Sequence, residues 1–570
     1  MGIDMKQIGK ENKKILFGML VLGIMAVLLI IRAHYGMDVT DETLYLSIAK
    51  RFADGDMLFR DEWNTCQLFS LLMLPLYNGY VWIHGSSDGI ILFSREMFVC
   101  VTLVVTCFAF WILYQYIHNV AESLIIALCM FLYVRGNIVT FSYYSVAQIC
   151  FLMAIFLWMN GDLINRHKKI CYVLSGISYA LSVVSMPYLA VLVVGILFLG
   201  VWYNIKKDQR KNKINCFISG VVLAAGVFCL VYGRWIPWKN LCAYLPFMFL
   251  DPAMEHEGIL GELLAVEKYI NAVFLKYTWW LYAFTLVACV FGRKRKKEIK
   301  AILLVEFFLQ AAYLRTYFEG GILMAVFLLA VQLCILERHF GRKHWIKYFV
   351  TPGMLYGLFW IIGSNIGERV MNMGFLMADI WAIDVIWNSC SEETTFIKIV
   401  KRMSVLWLLG ILGIIRFADL YRDGELLAMT TKVETGSYQG IYTEENRAKT
   451  YSDTVNILRR ETDTTNRIVV VGRNPWVYLD APAKCSAYTA WNVQGEDSVA
   501  EKYYSVFPEK EPDVIVTVDP EVQTYKTWRF SSHGSGMQIG ELLQPEGIYK
   551  KILQEGVWEK KQVGASTIYK

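Results

Sequence analysis

The chain has 570 residues, of which 56% are hydrophobic, 15% aromatic and 19% charged, with a formal net charge of +6. Its mean hydropathy is +0.39. Such a composition excludes an ordinary soluble domain, which is less apolar and more charged; no nucleic acid is expected as a partner, because the basic residues sit in short loops between apolar runs.

Lys6, Lys10, Lys13 and Lys14 precede the first apolar run, about residues 15–33. No small-residue cleavage site follows it, so the run reads as a retained span. The positive-inside rule then puts the N-terminus in the cytoplasm and the next loop outside. That loop, residues 34–88, carries Asp38, Asp41, Glu42, Asp54, Asp56, Asp61 and Glu62. Carboxylates beside a bilayer are costly unless solvated or used, so chemistry is sought here first. The stretch DETLYLSIAKRFADG predicts a short amphipathic helix, with Leu44, Ile48 and Phe52 on one face and Gly55 ending it. Residues 68–83, with Pro75, Asn78 and Gly79, predict an interfacial helix or a re-entrant hairpin.

Further spans are predicted at about 89–117, 121–134, 143–160, 170–184, 187–203, 214–232, 277–291, 301–314, 321–336 and 348–363. The basic loops 165–169, 206–213, 293–300 and 337–347 all fall on the cytoplasmic side of this alternation. Residues 373–387 are apolar but hold Asp379 and Asp384, and 403–417 form a clear span. Counting both gives about thirteen spans and an external tail, and keeps the basic run 398–402 inside. From about Ala418 the composition changes. Thr443 is expected to cap a helix whose face is Ala448, Tyr451, Val455 and Leu458. RIVVVG and DVIVTV read as buried strands with a helix at 499–507 between them. The expected fold is a polytopic α-helical membrane protein with a membrane domain, 1–419, and a small C-terminal α/β domain, 420–570. That domain has no Gly-rich phosphate loop, metal spacing or nucleophile motif. The thirteen Cys are scattered: Cys66, Cys100, Cys107, Cys129, Cys150 and Cys334 show no paired or metal-type spacing, and Cys485 stands alone. They read as apolar filler.

Asp41-Glu42, with Tyr45 one turn on, is the leading catalytic candidate: a carboxylate at the membrane face can deprotonate a hydroxyl as general base. The plainer alternative is that Thr40 or Asp41 caps the helix. Arg95, near the start of the second span, needs a carboxylate or lipid phosphate partner, or else snorkels to the headgroups. Arg234 and Lys239, in the loop after Tyr232, are cations suited to a diphosphate or phosphodiester leaving group. In the same loop Asp251, Glu255, His256 and Glu257 are acidic or metal-type residues, although adjacent positions do not all face one way. Tyr143, Tyr144 and Ser145 open the fourth span as an interfacial aromatic belt or a substrate wall. Asn365, Glu368 and Arg369 lie in an external loop.

This layout resembles the GT-C glycosyltransferases of the protein O-mannosyltransferase and aminoarabinose-transferase type. The resemblance rests on Asp41-Glu42 after the first span, Tyr45, the Gly55-Asp56 turn and Arg95. SYYS at 142–145 and VVSMP at 183–187 add to it. The chain has FRDEWNTCQ at 59–67 where the family often has a Pro-rich acceptor segment. The resemblance implies sugar transfer from a polyprenyl-phosphate donor to a hydroxyl of an extracytoplasmic acceptor, at the outer face of a cell (plasma) membrane. Asp41 would activate the hydroxyl, and Arg95 with Arg234 or Lys239 would meet the leaving phosphate. Asp61 or Glu62 would bind acceptor or a divalent metal ion, the one candidate cofactor. Two other readings stand beside it: a transporter or flippase of lipid-linked glycans, with Glu306 and Gln310 as its in-span polar pair, and a non-catalytic assembly factor whose tail binds a partner.

Overall fold

The computed structural model of the protein describes residues 5–163, 167–206, 210–250, 260–261, 264, 276–291, 293–313, 318–338, 340–363, 371–388, 395–493, 498–522, 525–527, 536–538 and 544–570. Asp251, Glu255, His256, Glu257, Asn365, Glu368 and Arg369 fall outside these residues, as does the side chain of Gln310.

The N-terminal half is helical: α1 (Met5–Ala33), α2 (Asp41–Ala53), α3 (Gln67–His84), α4 (Ile90–Ile117), α5 (Val120–Leu132), α6 (Tyr143–Leu163), α7 (Lys168–Ser185), α8 (Ala190–Ile205) and α9 (Lys211–Tyr232). There follow α10 (Lys276–Phe291), α11 (Lys296–Tyr313), α12 (Phe318–Glu337), α13 (Thr351–Gly363), α14 (Met371–Trp387) and α15 (Thr395–Ala418). Among the described residues five segments are long and apolar enough to cross a membrane: Asn12–Ala33, Ile90–Ile117, Tyr143–Leu163, Lys211–Trp235 and Ile346–Gly363. Their outer faces are apolar. Leu16, Phe17, Leu20 and Ile24 of α1 and Val222 and Leu230 of α9 are exposed. A water-facing helix would bury such a stripe, so this is the pattern of helices facing lipid.

Between helices the contacts run through glycine. A Cβ added at Gly176 of α7 would overlap the Phe217 backbone of α9, and one at Gly220 would overlap the Val173 carbonyl. Gly353 and Gly374 meet in the same way between α13 and α14. Lipid tails are as apolar as Leu, so close backbone approach of this kind is what draws such helices together. Helix α14 is enclosed, with every residue from Asn372 to Ile386 buried. Its Asp384 pairs with Arg342, which also reaches Glu122 of α5 at 3.1 Å.

The C-terminal part contains α16 (Glu445–Glu461), α17 (Pro475–Asp480), α18 (Ser498–Val506) and α19 (Gly547–Glu555). A small ladder joins β1 (Thr431–Lys432) to β2 (Tyr442–Thr443). The main sheet has the order β4 (Lys484–Cys485), β3 (Arg467–Val471), β5 (Val514–Thr517), β9 (Ser566–Tyr569), β8 (Lys560–Val563). Strand β3 lies parallel to both neighbours, while β9 closes antiparallel on β5 and forms a hairpin with β8. The unbroken Val run of β3 follows from this, since a central parallel strand is covered on both faces. A separate pair, β6 (Tyr525–Thr527) and β7 (Gly536–Gln538), completes the strands. The expected cap of α16 is corrected: Glu444 holds the cap position, and the Thr443 hydroxyl donates instead to Asp423 Oδ2 at 2.8 Å.

The long first loop and this α/β part share one core. Leu44, Ile48, Phe52 and Trp63 pack in a single buried cluster with Tyr451, Val469, Trp476 and Tyr488. Polar ties follow the same seam. Ser47 Oγ donates to the Pro475 carbonyl at 2.7 Å, Lys50 Nζ to the Ala483 carbonyl at 3.0 Å, and the Trp63 amide to the Tyr488 carbonyl at 2.8 Å.

Candidate functional site

The site begins where the chain leaves α1. Gly36, at φ 88°, turns the backbone against Leu420 at a spot where a Cβ would meet that side chain at 3.0 Å. The chain then enters α2, whose first amides need acceptors. Asp38 supplies one: its Oδ2 accepts from the Glu42 amide at 3.0 Å, and its Oδ1 accepts from the amide of Thr40, just before the helix, at 3.0 Å. Thr40 holds the cap position, as one of the two sequence alternatives had it, but its side chain makes no cap hydrogen bond, and Asp41 is the first residue of the helix. Asp41 is thereby left to face outward from the first turn, and Gly55, at φ 104°, follows the last turn as expected.

The two members of the acidic doublet part company. Glu42 is buried, and its carboxylate takes a two-pronged contact from Arg95, with Nε to Oε1 at 3.0 Å. The same guanidinium donates to the carbonyls of Ala33 and Gly36, each at 2.7 Å. Arg95 is 2% exposed and does not line the cavity described next. Its role as a phosphate-binding cation is therefore not what the geometry gives; it fastens α4 to the end of α1 and the start of α2. Such a pair is expected when a cation must be buried, since its unpaired form is far costlier.

Asp41 opens on a cavity of ≈ 560 Å³. One wall is aromatic. Tyr143 lies 4.0 Å from Tyr144 centroid to centroid, Tyr144 stacks on Trp360 at 5.1 Å, and Tyr45 meets Tyr143 edge-on at 5.8 Å. The Tyr45 Oη is buried with no hydrogen-bond partner among the described residues, and burial first, then neighbouring groups, pushes its pKa well up. Met186 and Pro187, in the predicted break between two helices, close one side. Three arginines contribute to the lining: Arg135, Arg422 and Arg473. Arg135 sits over the Tyr144 ring at 3.9 Å, and Arg473 over the Trp491 ring at 4.8 Å. Arg422 Nη1 lies 3.1 Å from Asp41 Oδ2, and the Tyr421 hydroxyl donates to the same oxygen. No hydrogen bond reaches Asp41 Oδ1 among the described residues. The arrangement is a carboxylate held by one oxygen, with the other turned to a cavity that mixes aromatic faces and guanidinium groups.

The remaining predicted residues lie elsewhere. Asp61 and Glu62 are buried in an ion-pair network that joins the loop to the C-terminal part. Arg51 Nη1 donates to Glu62 at 2.7 Å, the Ala490 amide to Glu62 at 3.2 Å, and Lys510 Nζ lies 3.1 Å from Asp61. Burial opposes ionisation of Asp56 in that network, but the Arg51 and Lys510 cations hold its pKa below the usual carboxylate value. With their oxygens committed to cations and amides, Asp61 and Glu62 do not fit a divalent metal. Arg234, over the Trp235 ring at 3.7 Å, and Lys239 are exposed and outside the cavity. Glu306 accepts a hydrogen bond from Gln332 at 3.2 Å inside the helical body.

Sequence reasoning missed Arg135, Tyr421, Arg422, Arg473 and Trp491. Two signals pointed to them. Arg422 follows the last predicted span on the loop's side of the alternation, and Arg473 follows the carboxyl end of β3, where open α/β sheets bind ligands.

Asp38 carries a pH prediction. Burial first, then the neighbouring Asp41, raises its carboxyl to about 7. Between the unfolded value of about 4 and 7, the folded protein holds a proton the unfolded chain lacks, so stability falls as pH rises through that window. Asp38→Asn is expected to flatten the decline of Tm between pH 5 and pH 8. Parallel slopes for the two proteins would refute it.

A scan of the chain against protein-family models found no match, and no curated protein matches it either.

Proposed function

We propose that the chain is an integral-membrane glycosyltransferase of the GT-C type, with about thirteen spans and an extracytoplasmic site and tail. It moves a sugar from a polyprenyl-phosphate donor to a hydroxyl acceptor. The observation that carries the reading is the Asp41 carboxylate, anchored through Oδ2 and facing an aromatic cavity to which Arg135, Arg422 and Arg473 contribute.

In this reaction the acceptor hydroxyl gives its proton to Asp41 Oδ1 as its oxygen attacks the anomeric carbon. The bond from that carbon to the phosphate oxygen breaks with inversion, and the electron pair leaves on the polyprenyl phosphate. Arg135 and Arg473 meet the charge that develops there. Tyr143, Tyr144 and Trp491 offer faces for the sugar or the first isoprene units. The Tyr45 hydroxyl, otherwise unsatisfied, donates to a sugar oxygen.

The test is release of polyprenyl phosphate, with labelling of an acceptor, from purified protein supplied with polyprenyl-phosphate-linked sugars. Arg135→Gln is expected to lower kcat/KM on the order of 10²-fold. Movement of an intact lipid-linked glycan across sealed vesicles, with no bond broken, would replace this reading by the transporter one.

A further inference from the structure

A second large cavity lies in the helical body, and we propose that it holds one anionic phospholipid of the cytoplasmic leaflet. It encloses ≈ 690 Å³ among α6, α7, α8, α9 and the segment Ile346–Gly363. Helix α6 relates it to the Asp41 cavity. Tyr143 and Tyr144, in its first turn, line that cavity, whereas Phe151, Ile155, Trp158 and Asp162 line this one. At 1.5 Å per residue, Tyr143 and Asp162 are about 28 Å apart along the helix, close to the hydrocarbon thickness of a bilayer. The two cavities belong to opposite membrane faces. From Phe151 to Asp162 is about 16 Å, the depth of one leaflet.

The lining is graded along that depth. Leu192, Ile196, Phe217 and Leu355 make it apolar toward the membrane interior. Arg210, Lys213 and Lys347 gather with Asp162 at the other end. The carboxylate is fixed there: Tyr172 donates to it at 2.7 Å, Tyr348 at 2.5 Å, and Lys213 pairs with it. Lys213 and Asp162 offset each other, and the stretch 206–213, with five basic residues to one acidic, together with Lys347 makes the mouth positive. These cations belong to the basic loops that the positive-inside rule assigns to the cytoplasm.

A positive mouth above an apolar slot matches a lipid whose phosphate rests at the mouth and whose acyl chain enters the slot, as basic pockets between membrane helices do for anionic headgroups. The one-leaflet depth fits an acyl chain and is too short for a polyprenyl chain. Gly195 lies on the wall, and a Cβ built there meets nothing within 4 Å, so a side chain at this position starts into open space on the slot's wall.

The test uses the full-length protein in vesicles containing phosphatidylglycerol or phosphatidylethanolamine with a photoreactive acyl chain. Phosphatidylglycerol is expected to label peptides carrying Trp158 and Phe217 several-fold more than phosphatidylethanolamine. Gly195→Trp is expected to remove that labelling, and Arg210→Gln with Lys347→Gln to remove the headgroup preference, each at wild-type Tm. Should one variant fail to fold, the other decides. Equal labelling by both lipids overturns the proposal. So does labelling that Gly195→Trp leaves intact, or displacement of the probe by polyprenyl phosphate in preference to phosphatidylglycerol.

Discussion

Asp41→Asn is expected to reduce sugar transfer by about 10²- to 10⁴-fold, the range a general base contributes, while the protein folds as before. The argument rests on how little else the carboxylate does. At the start of α2 the Glu42 amide donates to Asp38, and the Asp41 side chain makes no bond to the helix backbone among the described residues. An amide at position 41 still accepts from Tyr421 and Arg422, which preserves the wall of the cavity. What it loses is the capacity to take a proton. A single-turnover measurement with bound donor separates chemistry from binding. An unchanged single-turnover rate in a properly folded Asp41→Asn protein would remove Asp41 from the reaction.

Arg95→Leu is expected to act on a different quantity. It strands the Glu42 carboxylate in a site where that side chain is 1% exposed, and leaves the Ala33 and Gly36 carbonyls without their donor. Breaking a buried pair from one side costs about 3–5 kcal/mol, so yield and Tm should fall sharply. Pairing Arg95→Leu with Glu42→Leu removes both charges and should recover much of the loss, as replacement of whole buried pairs does. A wild-type Tm with a raised KM for the donor would return Arg95 to the lipid phosphate.

Much of the helical layout was legible because apolar runs are a strong, local signal. The α2 helix was legible as well: Leu44, Ile48 and Phe52 recur at helical spacing and all are buried. Helix α14 was equivocal for a physical reason. Asp379 and Asp384 lower its apparent hydropathy, yet the helix is walled by protein and Asp384 meets Arg342. The sequence correctly demanded a partner for Arg95, but Glu42 lies 53 positions away and nothing local distinguishes it from a lipid phosphate. Asp61 and Glu62 looked like site residues because acidity near a membrane suggests use. Their partners, Arg51 and Lys510, come from a helix and from a segment over four hundred positions downstream. Arg473 and Trp491 reach the cavity only through the docking of the C-terminal part onto the loop, a long-range event that periodicity does not encode.

The joint between loop and tail has a consequence for how the protein is made. Ser47 meets Pro475 across 428 positions, and Tyr438 donates to the Asp38 carbonyl across 400. At about 5–20 residues per second, a ribosome needs roughly 20–90 s to deliver the second partner after the first. During that interval Leu44, Phe52 and Trp63 have no tail to pack against. The newborn loop must wait half-formed at the membrane surface, open to proteases and to any chaperone stationed there, until the last quarter of the chain arrives to close it.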